Sequence, residues 1–125
     1  MFSSKKLYIR PICSNLQRNT EAIGKMDPFV TIRVGDKVYK TKVADNQGKF
    51  PAWNEIFEHK IRDEDLEIEF KVMDDDTHNE DDFVGSTKVP LVDIRATELI
   101  HHSKVVPLYY KGKVVGNIAI NLQIR

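Results

Sequence analysis

Cysteine is all but absent from this chain of 125 residues: Cys13 stands alone. One thiol excludes an internal disulfide framework and a thiolate zinc site, and it suits a reducing compartment, so the expected location is cytoplasmic. Net charge is missing as well, because 19 Lys and Arg balance 19 Asp and Glu. That excludes binding of nucleic acid through bulk charge. No run approaches the roughly 18–20 apolar residues of a membrane-spanning helix, and residues 1–6 lack the apolar stretch of a signal peptide, so any membrane contact is expected to be peripheral. Helical periodicity is scarce too. The best candidate is a short stretch over 91–100, after Pro90, with Leu91, Ile94 and Glu98 at helical spacing.

What the chain does have is alternation of period two, the mark of strands buried on one face. Leu66, Ile68, Phe70 and Val72 alternate with Glu67, Glu69 and Lys71, and Ile118, Ile120, Leu122 and Ile124 alternate with Ala119, Asn121, Gln123 and Arg125. Less regular strands are expected at 6–13, 29–34, 37–43, 54–61, 83–89 and 104–110, separated by turn signals at Gly35-Asp36, Gln47-Gly48 with Pro51, Pro90 and Lys111-Gly112-Lys113. Eight short strands predict an all-β fold, an eight-stranded antiparallel β-sandwich forming one domain over residues 5–125. The Cys…Trp…Cys pattern of an immunoglobulin domain is missing.

Charge balances in sum but not in order. Residues 1–49 carry ten basic and four acidic side chains, residues 50–100 five and fifteen, and residues 101–125 four and none. Inside the acidic block, Asp74, Asp75, Asp76, Glu80, Asp81 and Asp82 crowd between two predicted strands. A charge run of this kind is ordinarily a solvated loop, but here both ends are fixed, and its carboxylates cannot spread to relieve repulsion. Period two puts Asp74 and Asp76 on one side of an extended chain, and the loop can return Asp82 to the same spot. Converging carboxylates call for a hard cation, above all Ca²⁺ with its six to eight oxygen ligands. The EF-hand pattern fails: counted from Asp74, its glycine position holds Asn79 and its terminal glutamate position holds Gly85. No glycine-rich phosphate loop and no coherent Ser/His/Asp set accompanies the D-x-D pair, so an enzyme is not expected.

Four segments carry a family resemblance: Met26-Asp27-Pro28-Phe29-Val30, Trp53-Asn54-Glu55-Ile56-Phe57, Val72-Met73-Asp74-Asp75-Asp76 and Asp82-Phe83-Val84-Gly85. They resemble, in order and spacing, the D-P-Y-V, W-N-E-x-F, V-x-D-x-D and D-D-F-x-G signatures of the C2 domain, and the small stand-alone plant proteins of the elicitor-responsive kind look most similar. The resemblance implies an eight-stranded sandwich of type II topology whose loops bind Ca²⁺ and then acidic phospholipid. It implies calcium carboxylates at Asp27, Asp74, Asp76 and Asp82, a fifth at Glu21, where the family has aspartate, and main-chain oxygen ligands at Met26 and Asp75. Phe50-Pro51-Ala52-Trp53 stands where the family has N-P-x-W, and Thr77, His78, Asn79 and Glu80 stand where many membrane-binding members have basic residues.

The expected function is a calcium-dependent phospholipid-binding module, docking peripherally on anionic membranes of phosphatidylserine or phosphoinositide when calcium rises. Ile23, Lys25, Lys49, Phe50 and His78 are the candidate lipid contacts, and Lys40 and Lys42, on one face of a strand, are candidates for a phosphoinositide head group. The competing reading is an adaptor that binds a protein partner with calcium structural or absent. Trp53 and Phe57 are expected to pack in the core or its turns, Cys13 to be a small buried hydrophobe, and His59, His101 and His102 to be surface or packing residues.

Overall fold

The computed structural model describes residues 5–21, 23–77, 79–95 and 101–125. Its elements are β1 (Lys6–Leu16), β2 (Pro28–Val34), β3 (Lys37–Lys40), β4 (Phe57–Lys60), β5 (Glu67–Asp74), β6 (Asp82–Pro90), the short helix α1 (Val92–Arg95), β7 (His102–Tyr110) and β8 (Lys113–Ile124). The pairing order runs β3-β2-β5-β6 and then β7-β8-β1-β4. The two halves meet through one antiparallel pair, Ser86 with Tyr109, so two four-stranded sheets form a nearly closed sandwich. β1 leads into the first acidic loop and β8 lies beside it, the arrangement expected of type II topology.

Alternation fixes which face each strand buries. On β5, Ile68, Phe70 and Val72 are fully buried, while Glu67 and Lys71 are exposed. Ile118, Ile120, Leu122 and Ile124 of β8 and Leu7 and Ile9 of β1 line the facing layer of the core. Burying each such side chain contributes about 1.5–3 kcal/mol, which makes register expensive to change: a slip of one residue would turn the whole row to water. Trp53 and Phe57 pack against this core, and the Trp53 indole N–H donates to the Pro28 carbonyl at 2.9 Å.

Two expectations need correction. Leu66 does not continue the buried row of β5; it precedes the strand and is 75% exposed. Cys13 is half-buried rather than buried. Of the two alternatives for His59, surface or packing, the structure has packing: it is buried and hydrogen-bonded on both ring nitrogens. Of the helix expected over 91–100, α1 occupies four positions, and 96–100 lie outside the described residues.

The antiparallel order brings four connections to one end of the sandwich: the loop 17–27, the loop 41–56, the loop 75–81 and the tight β7–β8 hairpin at Lys111-Gly112. Loops are where chemistry is carried on a rigid sandwich.

Candidate metal centre

β5 ends on Asp74 and β6 begins on Asp82, and the two are register partners, so the loop 75–81 is clamped at its base. Within it the Asp76 N–H donates to Asp81 Oδ1 at 3.0 Å and the Asn79 N–H to Asp76 Oδ1 at 3.2 Å. The loop 17–27 crosses above. Carboxylate oxygens of Glu21, Asp76 and Asp82 come within 4.8 Å of one another.

Asp74 and Asp27 stand behind this trio, each already held by the backbone. Asp74 is fully buried; its Oδ1 accepts the Asp27 N–H and its Oδ2 the Thr20 hydroxyl, both at 2.8 Å. Asp27 Oδ1 accepts the Asn46 N–H at 2.6 Å, which ties the site to the loop 41–56. The Asp75 N–H donates to the Asp27 carbonyl at 3.0 Å. The Met26 carbonyl accepts the Gly48 N–H at 2.9 Å, so this expected ligand oxygen already has one partner.

Electrostatics register the crowding. A hydrogen bond with Asp74, then the Asp74 charge, loss of water, and the charges of Asp76 and Asp82 all push the Glu21 carboxyl above the ordinary glutamate range. Crowded like charges disfavour each ionised form, and a bound cation would relieve that repulsion. The donor set is all oxygen, mostly anionic, and gathered from two loops, which fits a Ca²⁺-sized ion and suits soft metals poorly.

Around the cup, Ile23 is 92% and Phe50 70% exposed. Lys25 and Lys49 are exposed in the same two loops; the Lys25 stem lies against Gly48, and the Lys49 carbonyl accepts the Leu16 N–H. His78 lies outside the described residues. Lys40 and Lys42 are exposed at and beyond the end of edge strand β3. The Lys40 ammonium sits 4.3 Å from the centre of the Phe29 ring, and the Lys42 N–H donates to Glu55 Oε2. Sequence reasoning passed over Thr20 and Asn46, which hold Asp74 and Asp27 in place; only their position in the loops hinted at it.

A sandwich of two antiparallel sheets with its chemistry on the loops at one end defines the class of small β-sandwich binding modules. Within that class the chain belongs to the C2 domain family, whose model matches residues 6–107. It is 34% identical over 83 residues to elicitor-responsive protein 1 of Oryza sativa subsp. japonica, which covers 63% of this chain and 52% of that protein. The chain thus spans about half the length of the rice relatives it matches. In fold it is similar to a C2 domain of plant extended synaptotagmin 1, with a TM-score of 0.87 at 21% identity over 100% of this chain and 97% of that one. It is also similar to the calcium-bound pair of C2 domains of extended synaptotagmin-2, with a TM-score of 0.79 at 24% identity over 98% of this chain and 46% of that one.

Proposed function

We propose that this chain is a calcium-dependent module for acidic phospholipid surfaces, cytoplasmic and peripheral on membranes, with a binding role rather than a catalytic one. The observation that carries the reading is the convergence of Glu21, Asp76 and Asp82 within 4.8 Å, backed by the pinned carboxylates of Asp74 and Asp27. These five, with the main-chain oxygens of Asp75 and Met26, would hold Ca²⁺. Bound there, the ion supplies positive charge and open coordination sites for lipid phosphate or carboxylate.

The chain's own residues supply the rest. Without metal, five carboxylates give the cup a charge of about −5, which an anionic leaflet repels; each Ca²⁺ cancels two of these charges, so two ions leave about −1. Lys25 and Lys49 then tip the rim positive, and the exposed side chains of Ile23 and Phe50 reach past the headgroups. Lys40 and Lys42 suit a phosphoinositide at the side of the sheet. Ca²⁺ tolerates irregular coordination at about 2.3–2.6 Å, so oxygen ligands drawn from two separate loops are enough to hold it.

Calorimetric titration with Ca²⁺, repeated with phosphatidylserine vesicles, tests this. The expected result is a calcium heat without lipid, tighter calcium binding with lipid, and vesicle co-sedimentation that a chelator abolishes. Neutral phosphatidylcholine vesicles should bind less. An adaptor would ignore vesicles at any calcium level, and that outcome would sink the reading.

A further inference from the structure

The hairpin joining β7 to β8 stands at the same end of the sandwich as the acidic cup, outside the residues 6–107 that match the family model. Its two-residue turn, Lys111-Gly112, has φ of 50° and 78°, flanked by the pair Tyr110 and Lys113. Positive φ at both turn positions defines a primed hairpin turn, where Asn-Gly is the favoured sequence and a lysine costs free energy. A lysine nevertheless occupies the tip, with Lys113 beside it. Neither has an ion-pair partner among the described residues. No acidic side chain occurs from residue 101 to 125. Below the tip, Tyr109 and Val114 face each other across the hairpin, 44% and 53% exposed.

The hairpin is fastened to the cup. Phe83, next to Asp82, packs on Tyr110 with ring centres 5.8 Å apart. The Arg18 guanidinium stacks 3.7 Å from the centre of the Tyr110 ring and donates to the Phe83 carbonyl, and the Gln17 N–H donates to the Val115 carbonyl at 2.7 Å. The first loop, the start of β6 and the hairpin are therefore joined as one piece.

Resting on the reading above, we propose that this hairpin is a second contact for an acidic phospholipid surface. Lys111 and Lys113 meet headgroup charge while Tyr109 and Val114 present an amphipathic flank at the interface. The charge complementarity is specific to this end: the cup repels an anionic surface until calcium fills it, whereas the hairpin attracts it at every calcium level. The hairpin thus orients the cup toward the membrane before calcium arrives.

The test is co-sedimentation with phosphatidylserine-containing vesicles, comparing wild type with Lys111→Asn/Lys113→Gln. Asparagine suits the turn, so the variant should fold with an unreduced melting temperature and keep the wild-type calcium-induced rise without lipid. Its vesicle partitioning should fall about tenfold or more, because each basic side chain near an acidic surface is worth around a factor of five. Lys60→Gln, at the opposite end, should bind as wild type does. Equal pelleting of the hairpin variant and wild type overturns the hairpin contact and leaves the calcium reading intact; an acidic protein as the true occupant gives this same result. Pelleting that needs the two lysines but not calcium supports the hairpin and overturns the calcium reading.

Discussion

A buried imidazole needs both ring nitrogens satisfied, and His59 has Asp65 Oδ2 at 2.9 Å from Nε2 and the Tyr39 hydroxyl at 2.8 Å from Nδ1. Asp65 also accepts the Arg62 N–H at 2.9 Å. Arg62 in turn pairs with Asp36. Burial pulls the Asp65 carboxyl up, but the His59 and Arg62 hydrogen bonds outweigh it and hold the carboxyl below its usual 3.8. The native state therefore favours the ionised form. That stability is fully present above the unfolded value and is lost as pH falls through the lower folded one. Urea unfolding from pH 6 down to pH 2 should show the loss below about pH 4, and Asp65→Ala should flatten that dependence. The same variant should lower stability at pH 7 by about 2 kcal/mol or more, since the buried His59 ring and the part-buried Arg62 N–H lose their shared acceptor, at about 1–3 kcal/mol for a fully buried group. None of this was legible in the sequence. His59 lies between Glu58 and Lys60, and Asp65 sits in the run Asp63-Glu64-Asp65, so both look solvated. Only the return of the chain after β4 brings them under Tyr39. Of the acidic cup only the stretch from Asp74 to Asp82 was legible from spacing, because D-x-D survives in one dimension; Glu21, which meets Asp76 and Asp82 from another loop, came from the family resemblance, and the Thr20 to Asp74 contact spans 54 residues.

At the scale of elements, alternation identified all eight strands, and the errors lie at their ends, where a single backbone angle decides. The fourth strand was expected from residue 54 but begins at Phe57, because Asn54 adopts a φ of 58°, which an extended strand does not tolerate. The third stops at Lys40 because Thr41 turns inward and its hydroxyl takes the Val30 N–H at 2.9 Å. β1 runs on to Leu16 through a register shift between Pro11 and Cys13, which periodicity alone does not reveal. The junction between the two sheets has its own requirement. A Cβ on Gly85 would fall 2.8 Å from Val115 Cγ2 and 3.3 Å from Leu108 Cβ, so the glycine lets β6 approach β7 and β8 where Ser86 pairs with Tyr109. Gly85→Ala should cost about 1–3 kcal/mol by overpacking. Denaturant melts would register it, and Val115→Ala in the same chain should recover part of the loss.

For the molecule as a whole, calcium binding and stability are one equilibrium if the cup works as proposed. An ion held only by the folded state adds RT ln(1 + [L]/Kd), about 2.7 kcal/mol at a hundredfold excess over Kd, or roughly 10 °C in melting temperature for a chain of this size. The carboxylates that supply this gain lower stability without metal, since Glu21, Asp74, Asp76 and Asp82 repel one another across the cup. Neutralising one should therefore act with opposite signs in the two states. Asp82→Asn should leave the metal-free protein as stable as wild type or slightly more so, while removing most of the calcium-induced rise. Asp76→Asn should do the same, because its amide oxygen can still accept the Asn79 N–H. Differential scanning calorimetry in chelator and in millimolar calcium, on wild type and both variants, separates this from a purely structural role. A carboxylate needed for folding would lower the melting temperature in both conditions. A wild-type melting temperature indifferent to calcium would make the acidic loop a solvated charge run and nothing more.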